Sequence, residues 1–178
     1  MKADPVMRRL ILLRHAKAEA ARPGGGDFGR RLTGRGRRDA AAMGAVLAAR
    51  KFAPDLALTS TARRAEETWE CASPAFPKTR LEALEELYDA APHTIFEAVR
   101  RSENGADTLL VVGHNPGLQE LAVTLVVEGA GPASDIRKLA NAFPTATAAV
   151  FTVDEVGRFA LEDFLVPPRH EKPPPSRR

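Results

Sequence analysis

Two short, wholly apolar runs in this chain each end on a histidine, and that pairing limits the folds open to it more than any other feature. Leu10-Ile11-Leu12-Leu13 leads into Arg14-His15-Ala16-Lys17, and Leu109-Leu110-Val111-Val112 leads into Gly113-His114-Asn115-Pro116. A bounded run of this length is too short for a helix and lacks polar alternation, so it reads as a strand buried on both faces. Such strands belong to parallel sheets covered by helices. In open α/β sheets, ligands bind beyond the carboxyl ends of the strands, where loops lead into helices with unpaired N–H groups. Both histidines are therefore expected at a ligand-binding address.

The remaining pattern alternates strands with helices. Thr33 is placed to cap a helix over residues 34–51, whose Ala40, Ala41, Met43, Gly44 and Leu47 form a small-residue packing face. Residues 56–59 suit a second strand, and Ser60 or Thr61 can cap a helix that Ser73-Pro74 stops. A weak extended segment at 79–83 and a loop at 88–92 precede a helix over 93–102, with Ile95, Phe96 and Val99 at helical spacing and Asn104-Gly105 closing it. After the strand at 108–112, Asn115 is a candidate N-cap, with Pro116 at the first helical position. Leu118, Leu121, Ala122 and Leu125 give that helix its core stripe, which ends at 129–132. Residues 146–153 and 158–166 read as a hairpin around Asp154-Glu155-Val156-Gly157.

This order predicts an α/β fold: a three-layer α/β/α sandwich with a mostly parallel central sheet and a C-terminal antiparallel hairpin. A length of 178 residues with 44% hydrophobic content suits one domain. It is expected over 9–168, after an extension at 1–8 and before a disordered tail at 169–178.

Composition excludes several function classes. The net charge is +3, but part of the excess lies in the tail from Arg169 to Arg178, and with one Trp and one Tyr there is no aromatic platform, so nucleic acid is not an expected partner. No apolar stretch approaches the length of a membrane span and the first nine residues lack a signal-peptide core, so no membrane is expected and a cytoplasmic location is. Cys71 is the single cysteine, which rules out an internal disulfide and any Cys-x-x-Cys metal site. A zinc site on His15 and His114 would lack a recognisable third ligand. No metal and no cofactor are expected.

The segment Ser60-Thr61-Ala62-Arg63-Arg64-Ala65-Glu66-Glu67-Thr68 places two cations at a helix N-terminus, where they oppose the helix dipole unless an anion is bound or the side chains turn away. Turning away suits Arg63. Arg64, with Arg14 and Arg30, can form guanidinium forks matched to a dianionic phosphoryl group, with a phosphate or sulfate anion as the simplest occupant. Lys17 could add positive potential.

Four ordered blocks carry a family resemblance: Leu12-Leu13-Arg14-His15-Ala16-Lys17, the stretch from Asp27 through Arg30 to Gly36, the Ser60–Thr68 segment, and Val112-Gly113-His114-Asn115-Pro116-Gly117. Together they resemble the histidine phosphatase (phosphoglycerate mutase-like) superfamily and, within it, the bacterial SixA-type phosphohistidine phosphatases. The resemblance implies a phosphoglycerate mutase-like fold and a hydrolase whose catalytic residues are His15, Arg14, Arg64 and His114. His15 would accept the phosphoryl group. Arg14, Arg30, Arg64, His114 and Lys17 would bind substrate, with Arg64 rather than Arg63 as the matching arginine. The expected partner is a protein carrying phosphohistidine, or a small phosphorylated molecule. Ala16 departs from the superfamily's usual glycine, as in SixA-like relatives.

Two other readings stay open. Many superfamily phosphomonoesterases carry a general-acid carboxylate in the middle region, for which Glu85, Glu86 and Asp89 are the candidates. A small-metabolite phosphomonoesterase would use Glu86 or Asp89. SixA-type enzymes can lack this acid, because a phosphoramidate leaves on a basic nitrogen that is easily protonated. A non-catalytic phosphate-binding module is the third reading. His93 reads as a solvent-facing helix residue, His170 as part of the tail, Tyr88 as a loop anchor, and Trp69 and Cys71 as structural.

Overall fold

The computed structural model describes residues 6–168, so the expected tail and His170 lie outside the described residues. Six strands form one sheet: β1 (Arg9–Arg14), β2 (Leu56–Ser60), β3 (Arg80–Leu84), β4 (Thr108–Gly113), β5 (Ala148–Val153) and β6 (Phe159–Leu165). Their spatial order is β3-β2-β4-β1-β5-β6. The first four run parallel, while β5 is antiparallel to both β1 and β6. Five helices cover the sheet: α1 (Gly34–Ala49), α2 (Arg63–Ala72), α3 (Pro92–Ser102), α4 (Gly117–Glu128) and α5 (Ala133–Asn141). None of the described helices is long and apolar enough to cross a membrane.

The apolar runs divide their side chains between two cores, as the two-residue strand period requires. Leu10, Leu12, Leu109 and Val111 pack with α3 and α4 through Ile95, Val99, Leu118 and Leu121. Ile11, Leu13, Leu110 and Val112 pack with α1 and α2 through Met43, Leu47, Ala65 and Trp69. The two helices α1 and α2 approach closely because Gly44 lacks a Cβ, which would stand 2.6 Å from the Ala72 oxygen. Gly36 is equally constrained, since a Cβ there would lie 2.1 Å from the Lys17 oxygen. Thr33 caps α1 as expected, its hydroxyl accepting from the Gly36 N–H. Ala41, expected on the packing face, is exposed instead, and Gly36 and Asp39 are buried.

Several termini differ from expectation for local reasons. Neither Ser60 nor Thr61 caps α2, which starts at Arg63 without a side-chain cap. Asn115 does not cap α4, which starts at Gly117 after a cis Asn115–Pro116 bond. Its side-chain amide instead donates to the Phe143 and Gln119 oxygens. Helix α5 has only Leu139 buried, with Ile136 packed alongside, so its apolar stripe is too thin to announce itself in the sequence. Met7, placed in the N-terminal extension, is buried and its N–H donates to the Glu103 oxygen.

Candidate active site

The register of β1 against β4 brings the two histidines together. Arg14 pairs with Gly113 across the parallel ladder, so the next residue on each strand is a histidine leaving the same sheet end. The rings of His15 and His114 stand 5.1 Å apart at their centroids. With Arg14, Lys17, Asp27, Arg30, Arg64, Asp89 and Asn115 they line an open cavity of about 380 Å³.

The His15 tautomer follows from its partners. Nδ1 lies 2.7 Å from the Ala16 oxygen, and a carbonyl can only accept, so Nδ1 carries the proton. Nε2 is then the unprotonated nitrogen, and it accepts from Arg64 Nε at 3.3 Å. Burial holds the imidazole down to about 4, and the charges of Arg64, Arg14 and Arg30 push the same way against the Ala16 hydrogen bond. The loop is tied to α2 through Thr68, whose hydroxyl accepts from the Ala16 N–H and donates to the Arg64 oxygen.

His114 is likewise kept neutral, at about 3, by burial first and then by His15, Arg64 and Arg14, with Asp27 opposing. Its Nε2 pairs with Ser60 Oγ at 2.8 Å, and Ser60 also accepts from the Ala62 N–H. Ser60 is thus drawn to the site rather than to the cap role expected of it. Nδ1 of His114 and Nε of Arg14 are buried with no hydrogen-bond partner among the described residues. Arg14 is otherwise held by the Phe143 oxygen at 2.8 Å, and burial lowers its pKa.

Arg64 is 3% exposed, and its whole fork is engaged. Nη1 donates to the Asp27 oxygen and Nη2 to Asp27 Oδ2, both at 2.9 Å. Arg30 Nε reaches Asp27 Oδ1 at 2.8 Å, and the Tyr88 hydroxyl donates to Oδ2 at 2.7 Å. These donors, the Tyr88 hydroxyl foremost, hold the Asp27 carboxyl down to about 2 against the effect of burial. The anion expected to answer the Arg64 charge is thus supplied within the chain. The sequence alone assigns Asp27 no role and reads Tyr88 as a loop anchor. The signal available was the Asp27-x-x-Arg30 spacing, which lets a carboxylate and a guanidinium meet across one turn.

Arg63 turns away, as expected, but into an acidic cluster rather than into open solvent. It pairs with Glu67 at 3.1 Å and Glu70 at 3.0 Å. Glu67 is fully buried, and its oxygens also accept from Arg31 Nε, Arg37 Nη2 and the Leu32 N–H. Burial works to raise this carboxyl, and the donors from Leu32, Arg31 and Arg37 outweigh it, leaving it below its ordinary value. The cluster fastens the loop carrying Asp27 and Arg30 to the helix carrying Arg64.

Among the three candidate acids, only Asp89 reaches the cavity, 3.8 Å from Arg64 Nη2. Glu86 is ion-paired with Arg101 on the surface, and Glu85 is exposed on the same turn. Lys17 lines the cavity with an exposed side chain. His93 is exposed on α3.

The arrangement can receive a phosphoryl group. An unprotonated imidazole nitrogen faces guanidinium groups on a cavity lined by charge, which is what nucleophilic phosphoryl transfer requires. Known proteins agree. Residues 10–92 match the model of the histidine phosphatase superfamily (branch 1). The chain is 38% identical over 166 residues to an uncharacterised protein of Mycobacterium tuberculosis, covering 87% of this chain and 99% of that one. A protein of Agrobacterium tumefaciens assigned as the phosphohistidine phosphatase SixA is 34% identical over 90% of this chain and 99% of its own, with a TM-score of 0.79. The protein histidine phosphatase SixA, solved with tungstate, is 25% identical over 89% and 97%, with a TM-score of 0.71. Fold, paired strand-end histidines and relatives of matching length lead to one assignment: the chain belongs to the histidine phosphatase superfamily.

Proposed function

We propose that this phosphatase hydrolyses phosphohistidine in a protein, through a phosphohistidine intermediate on His15. The observation that carries the reading is the His15 tautomer: a proton fixed on Nδ1 leaves Nε2 with its lone pair toward Arg64. In the first step Nε2 attacks phosphorus, the P–N bond to the substrate imidazole breaks, and the leaving nitrogen takes a proton from solvent. Water then attacks the phosphoryl group on His15, releasing phosphate and restoring the imidazole. Splitting the displacement this way replaces one hard step by two easier ones.

Arg14, Arg30 and Arg64 meet the charge that spreads over the equatorial oxygens. In the His114 tautomer that accepts at Nε2 from the Ser60 hydroxyl, Nδ1 carries a proton for a phosphoryl oxygen, and Lys17 adds potential at the mouth. No carboxylic acid is required for a leaving group that is already basic. The second reading, a small-metabolite phosphomonoesterase, is favoured by Asp89, the one candidate acid that lines the cavity.

The deciding experiment compares free phosphohistidine and a phosphohistidine protein with a panel of phosphate monoesters, in the presence of a chelator. The expected result is the highest kcat/KM on the phosphoramidates. Preference for a monoester would overturn the reading and transfer the search to Asp89, and binding of phosphate without turnover would leave a binding module.

Charge on the nucleophile gives a second test. His15 is held at about 4 and the ordinary value is 6.5, so its imidazole stays neutral through pH 5.5. The expected NMR titration of the His15 ring has its midpoint near 4, and one near 6.5 would contradict the site as described. The same depression affects folding. Between about 4 and 6.5 the unfolded chain binds the extra proton, so this histidine's contribution to stability rises with pH across that window and is lost as pH falls through it.

A further inference from the structure

Behind the cavity lining, a file of aromatic rings leads away from the reacting nitrogen toward the surface. His114 stands beside His15, the Tyr88 ring meets His114 edge-on at 5.6 Å, and the Phe28 ring meets Tyr88 edge-on at 5.1 Å. Exposure increases along the file, from 3% at His114 through a half-buried Tyr88 to 46% at Phe28. A single exposed apolar side chain needs no explanation in itself. Phe28 is set apart by its position, next in sequence to the carboxylate that bridges Arg30 and Arg64.

The loop is built to hold Phe28 there. Its carbonyl accepts from the Arg63 N–H at the start of α2, while Asp27 is clamped by Arg30, Arg64 and Tyr88. The residues on either side of the Asp27-Phe28 pair are glycines, Gly26 and Gly29, with open space where a Cβ would stand. Phe28 is also the only aromatic among the exposed large apolar side chains of the described residues.

We infer that Phe28, backed by Tyr88, is the specificity-determining residue for the leaving group, and that it selects phosphoryl donors whose leaving group is a planar ring. A ring attached to phosphorus at His15 leaves the charged pocket on the side of Asp27 and His114, the lining residues that adjoin Phe28 and Tyr88. It finds there an apolar face for offset or edge contact in an otherwise polar mouth. A ringless phosphoramidate presents the same phosphoryl group to the arginines and has nothing to place on Phe28. The inference rests on the phosphohistidine reading proposed above and deepens it.

The test measures kcat and KM of the full chain, Phe28→Ala and Phe28→Trp on free phosphohistidine and on phosphoramidate itself. The expected result for Phe28→Ala is about a fivefold loss of kcat/KM on phosphohistidine, carried by KM, the size expected of one aromatic pair. On phosphoramidate the change is less than twofold, and Phe28→Trp restores phosphohistidine turnover. Equal losses on both substrates would make Phe28 a loop prop and overturn the inference, as would no loss on either. If the unaltered chain turns over neither compound, the phosphohistidine reading falls and the inference falls with it. Normal turnover of both, with no selectivity lost in Phe28→Ala, removes the inference alone.

Discussion

Replacing His15 by alanine is expected to lower phosphatase turnover by at least about 10⁴-fold, because the variant has no nucleophile to carry the phosphoryl group between the two steps. The loss should fall on kcat, with phosphate still bound, since Arg14, Arg30 and Arg64 are unchanged. Folding should survive. His15 Nδ1 bonds only the adjacent Ala16 oxygen, and the loop keeps its tie to α2 through the Ala16 N–H and Thr68. Rapid acid-free quenching during turnover should trap a phosphorylated chain in the unaltered protein and none in His15→Ala. A residual rate within tenfold of the unaltered protein would assign the chemistry to another residue.

Arg64→Ala is the second large effect, expected at about 10³-fold in kcat/KM, the upper range for removing one preorganised donor from a site of developing charge. Three hydrogen bonds go with it, to His15 Nε2, the Asp27 backbone and the Asp27 carboxylate. Arg64→Lys should recover little, since a compact ammonium cannot reproduce a fork that engages three partners at once. The neighbouring Arg63→Ala should stay within a few-fold, because Arg63 serves Glu67 and Glu70 outside the cavity. Steady-state kinetics on the three variants checks this directly, and equal losses from Arg63→Ala and Arg64→Ala would refute the assignment of roles within the pair.

The parts of this structure legible in the sequence are those governed by short-range pattern. Strands β1, β2 and β4 announce themselves as bounded apolar runs because both faces are covered, and that is also why their terminal histidines could be placed at one end of the sheet. Helix α5 could not be read, since a single buried leucine and one packed isoleucine leave no period to detect. The caps misread at Ser60 and Asn115 share one cause. Each side chain has the chemistry of a cap, but a partner distant in sequence redirects it: His114 pairs with the Ser60 hydroxyl, and Phe143 holds the Asn115 amide nitrogen, leaving Oδ1 buried without a partner among the described residues.

The same limit applies within the site. Arg14, His15, Arg64 and His114 lie on elements whose placement follows from strand ends and helix starts. The surroundings of Asp27, Phe28 and Tyr88 depend on how a glycine-rich loop folds back over α2. Glu67, in an exposed-looking run of charges, is buried because arginines from two other segments converge on it. No spacing within that run reveals this.

The Asp27 carboxylate has a consequence for how the pocket responds to its medium. Since it already offsets one of the two charges of Arg30 and Arg64, an arriving phosphoryl group competes with a resident carboxylate for its donors. The empty pocket is less positive by one charge than its three arginines alone would make it, and the ionic-strength dependence of association is correspondingly shallower. The reverse trip is helped too. When phosphate departs, a tethered carboxylate one side chain away takes back its donors, so the departing ion does not leave behind the desolvated cations that would otherwise hold it.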